Sequence, residues 1–199
     1  MVTAVILASG IAKRFGENKL LMPLGEKKVI EHVIDHVKKS KVEDIFLIYG
    51  HHEKEFKDIA KIKEIKVIYN EKYNLGQSYG VKRAVKRLEN KAEGILFLLG
   101  DQPFLTSHTI NQLVRCFKKN PEKIIVPLYD GKRGNPVIFG KNFFGEIKKI
   151  NGDKGPREII EKYENQVVFV PINDIMENFD IDTKEDYLKA LKELKRKKN

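Results

Sequence analysis

The most restrictive feature of this chain is the run Ile95-Leu96-Phe97-Leu98-Leu99, which stops abruptly at Gly100-Asp101-Gln102-Pro103. A strand with one wet face alternates apolar and polar residues, whereas a strand covered on both faces does not. Residues 95–99 therefore read as a central parallel strand roofed by helices on both sides. Further strands are expected at residues 4–7, 45–49, 66–69, 124–128 and 167–172. Between them lie apolar residues at helical spacing: Val29, Ile30, Val33, Ile34 and Val37, then Val81, Ala84, Val85 and Leu88, then Ile110, Leu113, Val114 and Phe117. Phe56, Ile59 and Ala60 mark a shorter helix, and Thr106 is an N-cap candidate. Strands alternating with helices demand a mostly parallel sheet with helices on both faces, a Rossmann-like three-layer α/β sandwich.

The alternation breaks between residues 124 and 172. A polar loop (129–136) leads to a short return strand (137–139), and two short helices (143–150 and 156–163) follow, joined by Asn151-Gly152-Asp153-Lys154-Gly155. This region predicts a small antiparallel addition that forms one wall of a ligand site. Residues 179–182 read as extended. Thr183 with Asp186 three positions on forms a capping box for a last helix that buries Tyr187, Ala190, Leu191 and Leu194. No linker or repeat divides the chain, so residues 1–199 read as one domain.

Composition excludes several classes. Hydrophobic residues make up 41% and charged residues 33%, and no apolar run approaches the ~20 residues of a membrane span. The chain opens on a strand rather than on a charged leader followed by an apolar stretch. A lone Cys116 cannot form an internal disulfide and fits a reducing cytoplasm; it lies on an amphipathic helix and reads as packing. The net charge of +10 is spread through every helix and densest at residues 192–198, a solvated helix end, whereas a nucleic-acid binder would concentrate lysines on one face, often with aromatics to stack bases. The expectation is a cytoplasmic protein with neither membrane nor nucleic acid as partner.

The chemistry is expected at strand ends, where open α/β sheets bind ligands. After the first strand come Ala8-Ser9-Gly10, then Arg14, Gly16 and Lys19. Small residues let a backbone approach phosphate oxygens, and fixed cations neutralise them. The spacing matches neither G-x-x-x-x-G-K-[ST] nor G-x-G-x-x-G. A nucleoside triphosphate carries roughly four negative charges, and a helix end offers about half a charge. Arg14 and Lys19 leave a deficit, so a divalent metal is expected, with Asp101 and Asp182 as hard oxygen ligands suited to Mg²⁺. Asp101 also suits the turn it opens, and Asp182 a plain helix start. Gly76-Gln77-Ser78 opens a helix and could hold a base or a phosphate. His51-His52-Glu53 reads as a solvated loop.

The segments LASGIAKRFGENKLLMPL, GQS (76–78), GDQP (100–103), RGNPV (133–137), GDKGPR (152–157) and DIDTKED (180–186) occur together and in this order. Together they resemble the molybdenum cofactor cytidylyltransferase family, within the larger superfamily of α/β nucleotidyltransferases. The resemblance covers essentially the whole chain. It implies Mg²⁺-dependent transfer of CMP from CTP to a phosphorylated pterin acceptor, and a molybdoenzyme or its maturation factor as a partner. It places Leu7, Ala8, Ser9 and Gly10 against the nucleotide, Arg14 and Lys19 on the triphosphate, and Gln77 and Ser78 also on the nucleotide. Asp101 and Asp182 hold the metal, with Arg14, Lys19 and Asp101 as the catalytic set. Arg133, Asn135, Asp153 and Arg157 line the acceptor side. Three positions depart from the family. Ala12 stands where relatives often have Ser, Asn135 where they often have His, and Ser9 where cytidylyl enzymes have Ala and guanylyl enzymes Gly. A side chain at position 9 leaves less room for a purine than Gly would, which favours cytosine. Another nucleotide or another phosphate acceptor, and a non-catalytic nucleotide- or RNA-binding module, are the alternatives.

Overall fold

The computed structural model describes residues 1–10, 18–152 and 156–198. In chain order its elements are β1 (Val2–Ala8), β2 (Pro23–Leu24), β3 (Lys27–Lys28), α1 (Val29–Lys38), β4 (Asp44–Tyr49), α2 (Glu53–Ile62), β5 (Lys66–Tyr69), α3 (Gln77–Leu88), β6 (Gly94–Leu99), α4 (Ser107–Lys119), β7 (Ile124–Tyr129), β8 (Lys132–Arg133), β9 (Val137–Gly140), α5 (Phe144–Ile147), α6 (Arg157–Lys162), β10 (Val167–Ile172) and α7 (Lys184–Lys198). The main sheet runs β10-β7-β9-β6-β1-β4-β5, with β8 paired to β7. β1 is parallel to both β4 and β6, β4 to β5, and β10 to β7.

The sheet is covered on both faces, as residues 95–99 require. Period-two side-chain alternation divides each strand between the two faces. Val2, Ala4, Ile6 and Ala8 pack with the apolar stripes of α1, α2 and α4. Val5, Ile95 and Phe97 pack on the other face with α3, α5 and α6. Ile95, Leu96 and Leu98 are completely buried, a burial that favours folding by about 1.5–3 kcal/mol per side chain. The α4 start is fixed by Thr106, whose Oγ1 accepts the Thr109 amide at 3.3 Å. The α7 start has the reciprocal capping box: Asp186 Oδ2 accepts the Thr183 amide at 3.0 Å, and Thr183 Oγ1 accepts the Asp186 amide at 3.1 Å. Ala190, with Tyr187, Leu191 and Leu194, then packs on Leu24, Val29 and Phe104 in a smaller third cluster.

Two features differ from the sequence-based expectation, and one segment that the sequence left unread acquires structure. The return strand is an inner strand: β9 inserts between β6 and β7 and pairs antiparallel with both. The loop 129–136 contains β8, a two-residue hairpin arm on β7. Residues Ile175–Asn178 form a 3₁₀ turn, started by Asp174 Oδ1 accepting the Met176 amide at 2.9 Å. Cys116 is half-buried, and burial pushes its thiol pKa up, which fits packing rather than a reactive thiolate. Among the described residues, no helix is long and apolar enough to cross a membrane.

The chain steps outward from β1 through β4 to β5, then returns over the other face through α3 to β6. The strand order therefore reverses between β1 and β6, and their carboxyl ends flank the switch point where ligands bind in this architecture. The fit beneath it is close. A Cβ on Gly94, at the start of β6, would lie 2.4 Å from Phe117 Cζ of α4. Gly94→Ala is expected to destabilise the protein by about 1–3 kcal/mol in denaturant unfolding, as overpacking does. The pair Gly94→Ala with Phe117→Leu should recover part of that loss.

Candidate active site

Asp101 follows β6 after Gly100, at the switch point. Lys19 comes to it from a 3₁₀ turn, Lys19–Leu21, started by Asn18 Oδ1 accepting the Leu20 amide at 3.1 Å. Leu20 is buried beneath the turn, and the Lys19 ammonium lies 2.6 Å from Asp101 Oδ2 and 2.8 Å from Asp182 Oδ1. Burial alone would lower the Lys19 pKa, but Asp101 and then Asp182 outweigh it and hold the ammonium above its usual range. Asp182 is brought in from a distant part of the chain by a backbone bond, the Ile181 amide to the Asp101 carbonyl at 3.1 Å. Ile181 is buried in the third cluster. Its two neighbours, Asp180 and Asp182, both act electrostatically on the same spot.

Asp180 had no role in the sequence reading, although it stands in DIDTKED. Its carboxyl is pushed up to about 7, first by burial and then by Asp101 and Asp182. Asp101 Oδ1 and Asp180 Oδ1 are both buried without a hydrogen-bond partner. Orphaned hard oxygens beside a third carboxylate are a donor set suited to Mg²⁺ or Mn²⁺. Among the described residues, however, no three acids or histidines already form a metal cage: the Lys19 ammonium sits between Asp101 and Asp182. The available signal was the alternation Asp-Ile-Asp in an extended segment, which sends both acids to one side when the Ile is buried.

Beside this cluster is a cavity of about 560 Å³ that reaches Leu7 and Leu99, at the carboxyl ends of β1 and β6. Its polar lining includes Gln77, Lys132, Arg133, Asn135 and Arg157, and its apolar lining includes Phe97, Val126 and Val137. The reversed direction of β9 explains why these groups are here. Val137 pairs with Phe97 and Gly140 with Gly94, so the beginning of β9, with Arg133–Pro136 ahead of it, lies at the carboxyl edge of β6. Arg133 donates to Glu164 and lies 5.5 Å over the Phe169 ring. Arg157 Nε donates to Glu161 Oε1 at 3.1 Å.

Asn178 ties the cluster to the cavity wall. Its Oδ1 accepts the Asn135 amide at 3.0 Å and Gln102 Nε2 at 3.2 Å. Gln102 is fully buried and its amide also lies against Asp180. A Cβ on Gly134 would come within 2.5 Å of Asn178 Oδ1, so only glycine permits this approach. Tyr129 Oη donates to the Asn135 carbonyl at 2.8 Å. No periodicity or motif marked Asn178 or Gln102 as linked.

The remaining sequence candidates divide. Ser9 is buried, and its Oγ accepts Asn70 Nδ2 at 3.3 Å. A Cβ on Gly80 of α3 would lie 3.0 Å from that Oγ. Ala8 is buried and Gly10 exposed. Ser78 is completely enclosed and its hydroxyl has no partner, so of the pair 77–78 only Gln77 lines the cavity. Arg14 and Asp153, and Ala12, lie outside the described residues. His51 and His52 are exposed and line no part of the cavity; His51 packs its ring edge-on to Tyr73, with centroids 4.9 Å apart.

The Asp180 shift has a consequence for stability. In the unfolded chain this carboxyl titrates near 3.8 and in the folded protein near 7. Between these values the folded state holds a proton the unfolded state has lost. Stability therefore falls as pH rises through this window, by at most about 1.4 kcal/mol per pH unit. Asp180→Asn should flatten that slope and unfold at higher denaturant at pH 7.5 than the parent. Urea midpoints from pH 4.5 to 7.5 measure it, and an unchanged slope would contradict the burial of this acid.

Residues 4–167 match the family model of the MobA-like NTP transferase domain. The chain is 27% identical over 198 residues to the purine catabolism protein PucB of Bacillus subtilis (strain 168), with 92% of each covered. It is 30% identical over 193 residues to the bifunctional protein GlmU of Clostridium botulinum (strain Kyoto / Type A2), covering 94% of this chain and 40% of that one. The chain thus spans about two fifths of the length of GlmU. Two solved structures share its fold. One is the Rv0371c complex with manganese from Mycobacterium tuberculosis H37Rv, at TM-score 0.81 and 23% identity, covering 96% of this chain and 98% of that one. The other is molybdopterin-guanine dinucleotide biosynthesis protein A from Archaeoglobus fulgidus, at TM-score 0.77 and 18% identity, covering 98% and 99%. With a switch-point site, paired acids and a cationic cavity beside them, the chain belongs to the family of MobA-like NTP transferase domains.

Proposed function

We propose that residues 1–199 act as one catalytic domain that transfers CMP from CTP to the phosphate of a molybdopterin-type acceptor and releases pyrophosphate. The observation that carries this reading is the adjacency of the Lys19–Asp101–Asp182 group and the cavity lined by Lys132, Arg133 and Arg157. The first suits a triphosphate with its metal. The second suits a second anion: Lys132, Arg133 and Arg157 can meet its phosphate, Phe97, Val126 and Val137 supply contact area for the faces of a planar ring, and, among the described residues, Gln77 and Asn135 can hydrogen-bond its polar edge.

In the reaction an oxygen of the acceptor phosphate attacks the α-phosphorus of CTP. A phosphoanhydride bond forms, the bond to the β-phosphate oxygen breaks, and pyrophosphate departs with the displaced charge. Lys19 and Arg14 stabilise that charge, while Arg157, Asn135, Arg133 and Asp153 orient the acceptor. Asp101 and Asp182, with Asp180 beside them, would hold a divalent ion, Mg²⁺ by preference, which supplies further charge neutralisation at the phosphates. Ala8, Ser9 and Gly10 border the nucleotide, and Leu7 and Gln77, which also line the cavity, stand between nucleotide and acceptor. The Ser9 side chain, held by Asn70, takes space that the second ring of a purine would need. Because Ser78 is enclosed, its part is support of the loop from beneath. The reading includes a cytoplasmic location and delivery of product to a molybdoenzyme or its maturation factor.

Pyrophosphate release with molybdopterin and each of CTP, GTP, ATP and UTP tests the assignment. CTP is expected to give kcat/KM at least about tenfold above the others, a difference of about 1.4 kcal/mol in transition-state binding. Equal or better turnover with GTP would overturn the choice of base. No pyrophosphate with the pterin, but turnover with another phosphate acceptor, would overturn the choice of acceptor. Asp101→Ala should abolish Mg²⁺-dependent turnover with the fold retained.

A further inference from the structure

The Lys19 ammonium lies 2.6 Å from Asp101 Oδ2 and 2.8 Å from Asp182 Oδ1, on the same two carboxylates assigned to the divalent ion. A group held so closely by two carboxylates cannot also lie on a phosphate. From this geometry we infer that Lys19 is an exchangeable counter-cation: it occupies the carboxylate site until a metal–nucleotide complex delivers both a divalent ion to the acids and phosphates to the ammonium. The inference rests on the reading of Asp101 and Asp182 as metal ligands and goes beyond it, because it makes the two ligands of the site interdependent.

The physical case has three parts. First, carboxylates at close range repel, and the side chains of Lys19 and Asp101 are 16% and 18% exposed, so the pair is poorly screened by water. A counter-cation is required there whatever else binds. Second, Lys19 is on a short turn whose anchor is Leu20, not the lysine itself. Its long side chain can swing from the acids to a neighbouring anion without disturbing that anchor. Third, Asp101 Oδ1 and Asp180 Oδ1 are left over, buried and unpartnered. One ammonium satisfies a single oxygen of Asp101 and one of Asp182; a divalent ion offers twice the charge and more coordination positions. A free divalent ion must displace the ammonium and leave it in water. An ion arriving with a nucleotide gives the displaced ammonium a new anionic partner. Coupling of this kind is reciprocal: nucleotide tightens metal binding by the factor by which metal tightens nucleotide binding.

Mn²⁺ binding followed by electron paramagnetic resonance provides a readout that needs neither acceptor nor turnover. The parent protein, Lys19→Met and the charge-matched control Lys132→Met are each titrated with Mn²⁺, alone and with α,β-methylene-CTP. Without nucleotide, Lys19→Met is expected to bind Mn²⁺ at least about tenfold more tightly than the parent, and Lys132→Met within about twofold of it. The enhancement of Mn²⁺ affinity by the nucleotide analogue should shrink at least about tenfold in Lys19→Met. Unchanged or weaker Mn²⁺ binding by Lys19→Met would overturn the exchange, as would equal tightening in Lys132→Met, which would mean a general field. Absence of Mn²⁺ binding by every protein, even with the analogue, would overturn the metal reading itself. Lys19→Gln, with its circular dichroism matched to the parent, repeats the comparison if the methionine variant misfolds.

Discussion

Three carboxylates converge on one partly buried point, and the Lys19 ammonium is what makes that tolerable. Two like charges about 5 Å apart repel by about 3 kcal/mol at an effective dielectric constant near 20. Asp101, Asp180 and Asp182 are drawn together by backbone structure that cannot relax: Asp101 at the end of a central strand, the other two flanking an isoleucine anchored in the core. The protein meets the repulsion in two ways at once. Lys19 bridges two of the acids, and the third, Asp180, holds its proton up to about pH 7. A site adapted only to stability would replace one of these acids by an amide. On the proposed reading, the charge serves a ligand carrying more positive charge than one ammonium.

The reversed strand β9 has an equally simple consequence. In an all-parallel sheet, every segment that precedes a strand lies at the edge away from the ligand. Reversing one inner strand brings its leading segment to the ligand edge, so Arg133, Gly134 and Asn135 border the cavity from the same side as the carboxyl ends of β1 and β6. Asn178 then fixes the register of this wall against the acids, because one carbonyl oxygen accepts both the Asn135 amide and the Gln102 side chain. A displacement of about 1 Å between reacting groups is enough to cost roughly a hundredfold in rate. The buried Gln102–Asn178–Asn135 connection is a physical means of preventing it.

The sequence made the framework legible wherever one local rule was sufficient. Unbroken apolar runs marked the buried strands, the i, i+3, i+4 stripes marked α1, α3 and α4, and Thr106 and Thr183 marked two helix starts by their own hydrogen bonds. The opening loop, GDQP and DIDTKED could be assigned to one end of the sheet because parallel topology puts strand ends together, and Lys19, Asp101 and Asp182 do meet. What was not legible depends on pairings distant in the chain. The place of β9 inside the sheet is a choice of neighbour, which a four-residue strand does not encode locally. Asp180 acquires its shifted proton affinity only from burial beside two acids. Ser78 looked like a free hydroxyl at a helix start, but the return crossover of α3 over the sheet encloses it.

The long-range field and the local field of this protein have opposite signs, and the difference gives the site selectivity. A net charge of +10, with Lys132, Arg133 and Arg157 around the cavity, attracts polyanions from a distance and speeds their encounter. At contact, a bare nucleotide meets carboxylates with their counter-cation already in place and gains little by displacing it. A nucleotide carrying a divalent ion offers those same carboxylates a stronger partner and frees the ammonium for its phosphates. On the proposed reading, the positive exterior gathers phosphorylated metabolites alike, while the acidic centre discriminates among them by the cation they bring. If the proposed transfer holds, selection for the metal-bearing form is selection for the form whose leaving pyrophosphate is already neutralised, so the group that controls entry would also favour the species poised to react.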